Sequence, residues 1–353
     1  MNPDQGQANW QATWQTRGPK AWALRPLAAL YGALSALRRW LYARGVLASE
    51  RLPVPVVVVG NVVVGGAGKT PTVLALVQHL RAQGWHPGVV SRGYGREGET
   101  PLEIQPDTPS AQSGDEPALI RRQSGVPVFV ARQRAQAARA LLAAHPSVNI
   151  VLCDDGLQHL ALARDLAIAV FDDRGTGNGW LLPAGLLREH WPPRHGHVHP
   201  PDLVLQHTAL DTPPALASPV PRFIARRRLA SHAVNAQGET RSLQTFAPSA
   251  PIALAGIARP GAFFDMLRAE GIEPSLTLAL PDHAPAARYA EALRSRVGTV
   301  LCTEKDAVKL FEDATISSGL EVWAVPLALH IDPAFFAAVD AHLARLKRPV
   351  HPA

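Results

Sequence analysis

Val56 to Thr72 reads VVVVGNVVVGGAGKTPT. A run of β-branched residues followed by glycines, a lysine and a threonine admits few folds: a buried strand, a tight turn and the start of a helix. Gly65, Gly66, Ala67, Gly68, Lys69 and Thr70 stand where a phosphate-binding loop needs them. In such a loop backbone N–H groups and a helix N-terminus surround phosphate oxygens, the lysine reaches the β- and γ-phosphates, and the hydroxyl holds Mg2+. The usual pattern, G-x-x-x-x-G-K-[ST], asks for glycine at position 63, where this chain has Val63. The Gly65-Gly66 pair can supply the turn instead. With Val64 and Pro71 at its ends, this loop is the expected nucleotide contact.

At 353 residues the chain is long enough for two α/β domains, each with its own core. An amphipathic helix is expected from Thr70 to Gln83, ended by Gly84. The apolar runs in HPGVVS, VPVFVA, NIVLCDDG, DLAIAVFDD and PDLVLQH, with a helix through Arg134 to Ala144, alternate as a parallel sheet requires. The Pro-rich stretch Thr208 to Pro221 reads as a linker, and RFIARRRLASHAVNAQGETRSL as a hairpin. Beyond it come a strand, turn and helix in PIALAGIARPGAFFDMLRAEGIEP, strands in GTVLC and LEVWAVPLAL, and a closing helix from Pro333 to Leu346. The expected fold is α/β: a P-loop NTPase-like parallel-sheet domain over 51–215, a smaller α/β domain over 216–353, and an N-terminal amphipathic helix within 1–50.

That first segment has no acidic residue between Asp4 and Glu50, while Arg17, Lys20, Arg25, Arg38, Arg39 and Arg44 all fall there. Leu27, Leu30, Leu34, Leu37 and Leu41 recur at spacings of three and four and so share one stripe of a helix. The uncharged run Pro26 to Leu37 is too short to span a bilayer, so an interfacial helix with cations toward anionic headgroups fits, serving access to lipid without building the nucleotide site. The competing expectation is a helix that packs its leucines on its own domain. A surplus of +6 charges and a pI near 9.7 favour anionic partners. Arg226-Arg227-Arg228 lacks the interleaved aromatics of a nucleic-acid site, and no nucleic acid is expected. Cys153 and Cys302 each close an apolar run and read as free, buried thiols of a reducing compartment. No secretory signal is visible, which places the expected site of action on the cytoplasmic side.

A phosphate-binding loop also needs a carboxylate at the end of a neighbouring strand for the metal, and NIVLCDDG provides Asp154 and Asp155. In SGDEPALI, Asp115 and Glu116 precede a helix, where either catalysis or the helix dipole accounts for acids. A GTPase is disfavoured. TEKD has its lysine one place too late for N-K-x-D, and Cys153 stands where D-x-x-G needs its acid. The histidines His195, His197 and His199, among Pro and Gly, read as a solvated loop more than as a metal site.

GNVVVGGAGKTPT, SRGYGR, SGDEPALI, CDDGLQH, LLPAGLLRE, LPDH and TEKDAVKL, in that order, together resemble the tetraacyldisaccharide 4'-kinase family, the lipid A 4'-kinases. The resemblance implies transfer of the ATP γ-phosphoryl group, with Mg2+, to the 4'-hydroxyl of an acylated glucosamine disaccharide 1-phosphate. It further implies a peripheral or monotopic enzyme at the cytoplasmic face of a bacterial inner membrane, expected to act as a monomer. By the same resemblance Lys69 is the phosphate lysine, Thr70 the Mg2+ hydroxyl, and Asp155, with Asp154 beside it, the second-strand acid. Asp115 matches the catalytic acid-base position and His283 the histidine paired with it, with the smaller domain closing over the site. Arg92, Tyr94, Arg188 and Glu189 are implied substrate or active-site contacts. The competing class is a membrane-associated P-loop ATPase that positions protein partners. Such proteins often carry a lysine where this chain has Val64.

Overall fold

In a computed structural model of the chain, residues 13–65, 68–93, 98, 100–105, 108, 110–193, 199–208, 210, 212–257, 260–282, 284–312 and 319–346 are described. After helical residues 13–15 come two helices, α1 (Pro19–Ala23) and the longer α2 (Arg25–Ala43), where a single helix was expected. Pro26 has no N–H to donate to the carbonyl of Trp22, four residues back, and the chain breaks between the helices at Leu24.

The valine run forms β1 (Val56–Gly60), buried along its whole length. The chain then passes through α3 (Lys69–Ala82), β2 (Pro87–Ser91), β3 (Leu102–Glu103), α4 (Ser110–Ser113), α5 (Asp115–Ser124), β4 (Val128–Val130), α6 (Arg134–Ala144), β5 (Ile150–Asp154), β6 (Leu166–Phe171), β7 (Leu203–Thr208) and β8 (Arg222–Leu229). Strands β1, β2, β5, β6 and β7 are buried throughout, as expected of a parallel sheet covered on both faces. With β3, β4, β8 and β15 (Leu327–Ile331) they make nine strands in the order β15-β8-β7-β6-β1-β5-β2-β4-β3. The ladders β7/β6/β1/β5/β2/β4 are parallel, and β3 lies antiparallel at the edge. Val59 pairs with Asp154, so β1 and β5 end side by side.

A second sheet holds β9 (His232–Val234), β10 (Thr240–Ser242), β11 (Ile252–Ala255), β12 (Leu276–Ala279), β13 (Gly298–Thr303) and β14 (Leu320–Val325), in the order β10-β9-β14-β13-β11-β12. Its four neighbours β14, β13, β11 and β12 are parallel, joined through α7 (Pro260–Ala269), α8 (Ala286–Leu293) and α9 (Glu304–Glu312). Phe246, Phe263, Phe264 and Trp323 anchor its core. The expected hairpin is therefore β9 with β10 alone, while β8 joins the large sheet.

The molecule divides into two compact units: one runs to Ala225 and resumes at Ile331, the other is Arg226–His330. The last helix, α10 (Pro333–Leu346), thus belongs with the first unit and not with the second domain expected from 216 onward. The reason is its apolar face: Phe335, Val339 and Leu343 are buried, it packs on β6, and Phe335 meets Phe223 edge-on at 5.8 Å. His79 of α3 stacks on Phe336 at 4.5 Å and reaches Asp340 at 2.9 Å. Among the described residues no helix is long and apolar enough to cross a membrane.

Candidate active site

The approach to the glycine loop is fixed by backbone bonds. Val63 is fully buried and bridges Leu187 antiparallel, with Val64 N–H donating to the Leu186 carbonyl at 2.9 Å and Arg188 N–H to that of Val62 at 2.7 Å. Position 63 is therefore extended backbone in a short ladder, which a β-branched residue suits and which needs no glycine. The turn comes later, at Gly65 (φ 91°) and Gly68 (φ 92°), a region that side chains rarely tolerate. Asn61 Nδ2 donates to the Gly65 carbonyl at 2.8 Å and fixes that turn. Gly68 caps α3, and the Thr72 hydroxyl donates to the Gly68 carbonyl at 2.8 Å. Lys69 and Thr70, the first residues of α3, are both buried. Gly66 and Ala67 lie outside the described residues.

The end of β5 brings two unlike acids to this loop. Asp154 is fully buried: one oxygen accepts from Ser91 Oγ at 3.3 Å, and the other has no hydrogen-bond partner among the described residues. Burial, then the charge of Glu116, pushes its carboxyl up to about 7. Asp155 follows at φ 50°, a left-handed turn that aspartate accepts more readily than most residues. Its carboxylate lies 3.6 Å from Lys69 Nζ and 3.1 Å from Arg188 Nη1. Burial raises this carboxyl too, but Lys69, Arg188 and Arg134 together outweigh it and hold it below its ordinary value. A buried carboxyl with an unpartnered oxygen, a second carboxylate and a helix-start hydroxyl are hard oxygen donors suited to Mg2+, which needs few protein ligands when it keeps phosphate and water oxygens.

Arg188 continues the network. Gln158 Nε2 donates to Glu189 Oε1 at 2.6 Å and to the Asn61 carbonyl at 3.1 Å, and Arg188 Nη1 reaches Gln158 Oε1 at 3.5 Å. Arg134 ties the turn beneath, donating to the carbonyls of Asp154 and Asp155 at 3.3 and 2.6 Å. The N-terminal helix reaches the same place. Tyr31 donates to the Arg188 carbonyl at 2.8 Å and Arg38 to that of Gln158 at 3.1 Å. A pocket opens there, lined by Tyr31, Ser35, Arg38, Gln158, Arg188 and Glu189 among others. Helix α2 thus lines this pocket through two bonds to backbone carbonyls.

A family model described as tetraacyldisaccharide-1-P 4'-kinase, LpxK, matches residues 20–344. The chain belongs to this family. Among 4'-kinases of curated sequence, that of Acidovorax ebreus is 55% identical over 344 residues, 97% of this chain and 96% of its own. That of Polaromonas naphthalenivorans is 57% identical over 334 residues, 94% of each chain. A crystal structure of LpxK from Aquifex aeolicus in complex with ATP superposes with a TM-score of 0.73 at 26% identity, covering 91% of this chain and 99% of that one.

Of the residues that the 4'-kinase resemblance singled out, Lys69, Asp155, Arg188 and Glu189 meet in one network, Asp154 adjoins it through Arg134, and Arg92 is exposed on the loop after β2. Asp115 is the first residue of α5, and the charge of its neighbour Glu116 is felt at Asp154. Tyr94 and His283 lie outside the described residues, as do His195 and His197. Among the described residues no group of three or more His, Cys, Asp and Glu could hold a metal. Sequence reasoning passed over Tyr31, Ser91, Arg134 and Gln158. Of these, Ser91 and Gln158 sat inside quoted motifs, SRGYGR and CDDGLQH.

Proposed function

We infer that this chain transfers the γ-phosphoryl group of ATP to the 4'-hydroxyl of tetraacyldisaccharide 1-phosphate, forming lipid IVA. The observation that carries the reading is the family match across residues 20–344. The ATP complex of the Aquifex aeolicus relative supports the donor. Membership in a kinase family sets aside the partner-positioning ATPase.

The phosphate loop, Val64 to Pro71, is proposed to have the P-loop role, its N–H groups and Lys69 orienting the donor phosphates and stabilising charge on the group in transfer. When bound, Mg2+ would neutralise phosphate charge, with Thr70, Asp154 and Asp155 as the residues that would hold it. Asp115 is assigned as the base. It takes the proton of the 4'-hydroxyl as that oxygen forms its bond to phosphorus, while the bond from phosphorus to the bridging oxygen of ADP breaks. His283 is assigned to the same proton transfer. Arg188 and Glu189, at the pocket beside α2, and Arg92 and Tyr94 are assigned to the sugar acceptor.

Helix α2 exposes Leu27, Leu30, Leu34 and Leu37 by 53 to 58% and Trp40 by 50%, and Trp22 of α1 is exposed by 57%. The exposed leucines suit the acyl region of a membrane surface, with the nearby arginines at anionic headgroups. We place the enzyme, as a monomer, peripherally at the cytoplasmic face of the bacterial inner membrane. The deciding experiment incubates purified protein with ATP, Mg2+ and the disaccharide 1-phosphate in detergent and weighs the product. Gain of one phosphate is expected, and ATP loss without it would return the partner-positioning ATPase.

A further inference from the structure

Just beyond β6, the strand that pairs with β1 opposite β5, the chain carries Asp172 and Arg174. Asp172 is 3% exposed and grips Arg174 twice: it accepts from the backbone N–H at 3.0 Å and from Nε at 3.0 Å to each oxygen. The guanidinium, fixed at this root, crosses to the phosphate loop. Nη1 donates to the Val64 carbonyl at 3.1 Å, across 110 residues of sequence. Against Gly65 the fit is close enough that a Cβ there would lie 3.2 Å from Nη1 and 3.6 Å from Nη2. Nη2 itself is buried and has no hydrogen-bond partner among the described residues.

A buried cationic donor without an acceptor is costly, and an anion beside it removes that cost. The loop it touches is the one built for phosphate. Position 64, immediately before the glycines, is valine, so the loop brings no cation of its own there. Arg174 delivers one to the same point from another strand.

We propose that Arg174 is a positioning residue for the donor nucleotide: it fixes the Val64–Gly65 edge of the phosphate loop and keeps the Nη2 donors beside it for the polyphosphate. The proposal rests on the kinase reading above. Asp172 serves it by anchoring the guanidinium, which makes the pair a unit.

The test is calorimetric binding of ATP, and separately of adenosine, to the full-length chain without acceptor, for the unaltered protein and for Arg174→Gln, Arg174→Lys and Asp172→Asn. Arg174→Gln is expected to weaken ATP by about tenfold or more, the loss of a charge-assisted contact, with adenosine within twofold. Arg174→Lys should restore part of the ATP affinity, because the charge remains while the planar fork is lost. In turnover the KM for ATP should rise and that for the disaccharide should not. If Arg174→Gln does not fold, Asp172→Asn carries the test, and an ATP affinity within twofold of the unaltered protein overturns the proposal. Equal losses for ATP and adenosine overturn it as well, since the arginine then holds the fold and not the phosphates. Failure of the unaltered chain to bind ATP would instead remove the kinase reading on which all this stands.

Discussion

A carboxyl sealed from water holds its proton into the neutral range, and Asp154 does so at about 7 while Asp155, one residue on, is kept charged by Lys69, Arg188 and Arg134. In the ligand-free chain this has a sign. The unfolded chain gives up the Asp154 proton first, near 3.8, so between that value and about 7 the fold loses stability as pH rises. His159 runs the other way. Burial, then Arg134 and Arg38, lowers it from 6.5 to about 4, so stability is lost as pH falls through that window. Asp154→Asn should remove the first slope and leave the second, and its melting temperature relative to the unaltered chain should therefore climb with pH; a constant offset would contradict the buried proton. Lys69→Ala should fold normally and transfer phosphate at least about a hundredfold more slowly, the scale of one lost charge-stabilising contact. Thr70→Ala should shift the Mg2+ titration of activity to higher concentration, and an unchanged titration would take the hydroxyl out of the metal site. The positions of the glycine turn and of the acids at the end of β5 were legible because they follow from local spacing. Arg134 and Tyr31 were not, because their hydrogen bonds run to backbone carbonyls 20 or more residues away, which no local pattern records.

Helix α2 carries contacts that its periodicity does not record. Leu27, Leu30, Leu34 and Leu37 are exposed, while Tyr31 and Arg38 bond to the backbone carbonyls of Arg188 and Gln158 at the candidate site. Deleting the helix would disturb both functions at once, so the sharper experiment changes only Leu30, Leu34 and Leu37 to Ser. Each fully buried leucine is worth roughly 1.5 to 3 kcal/mol at a lipid surface. Binding to anionic vesicles should weaken and the KM for the acylated disaccharide rise, with ATP affinity unchanged; retained vesicle binding would assign the stripe to something else. Elsewhere an apolar run concealed a boundary. LEVWAVPLAL looks continuous, but it divides at Pro326 into β14, in the second sheet, and β15, in the first. Hydrophobicity reports that a segment is buried, and proline that a ladder is interrupted, but neither says which sheet receives the next residue.

At the scale of the molecule, Asp115 belongs to the first unit and His283 to the span of the second. If both serve one proton transfer, Asp115→Ala and His283→Ala should each lower kcat, and the double variant should be little slower than the slower single one. Multiplicative losses would show two independent roles. The alternation of strands and helices made the α/β class plain from the sequence, whereas the return of the chain to its first sheet was hidden, because the pairing of β8 with β15 joins residues about a hundred apart. That return gives the protein a particular birth. The first unit is begun early and finished last, since Phe335, Val339 and Leu343 of α10 emerge only after the whole of Arg226–His330 has been made. At roughly 5 to 20 residues per second, the second unit takes on the order of 5 to 20 s to synthesise. Throughout that interval β6 waits without its covering helix, and His79 without the ring and carboxylate that will receive it.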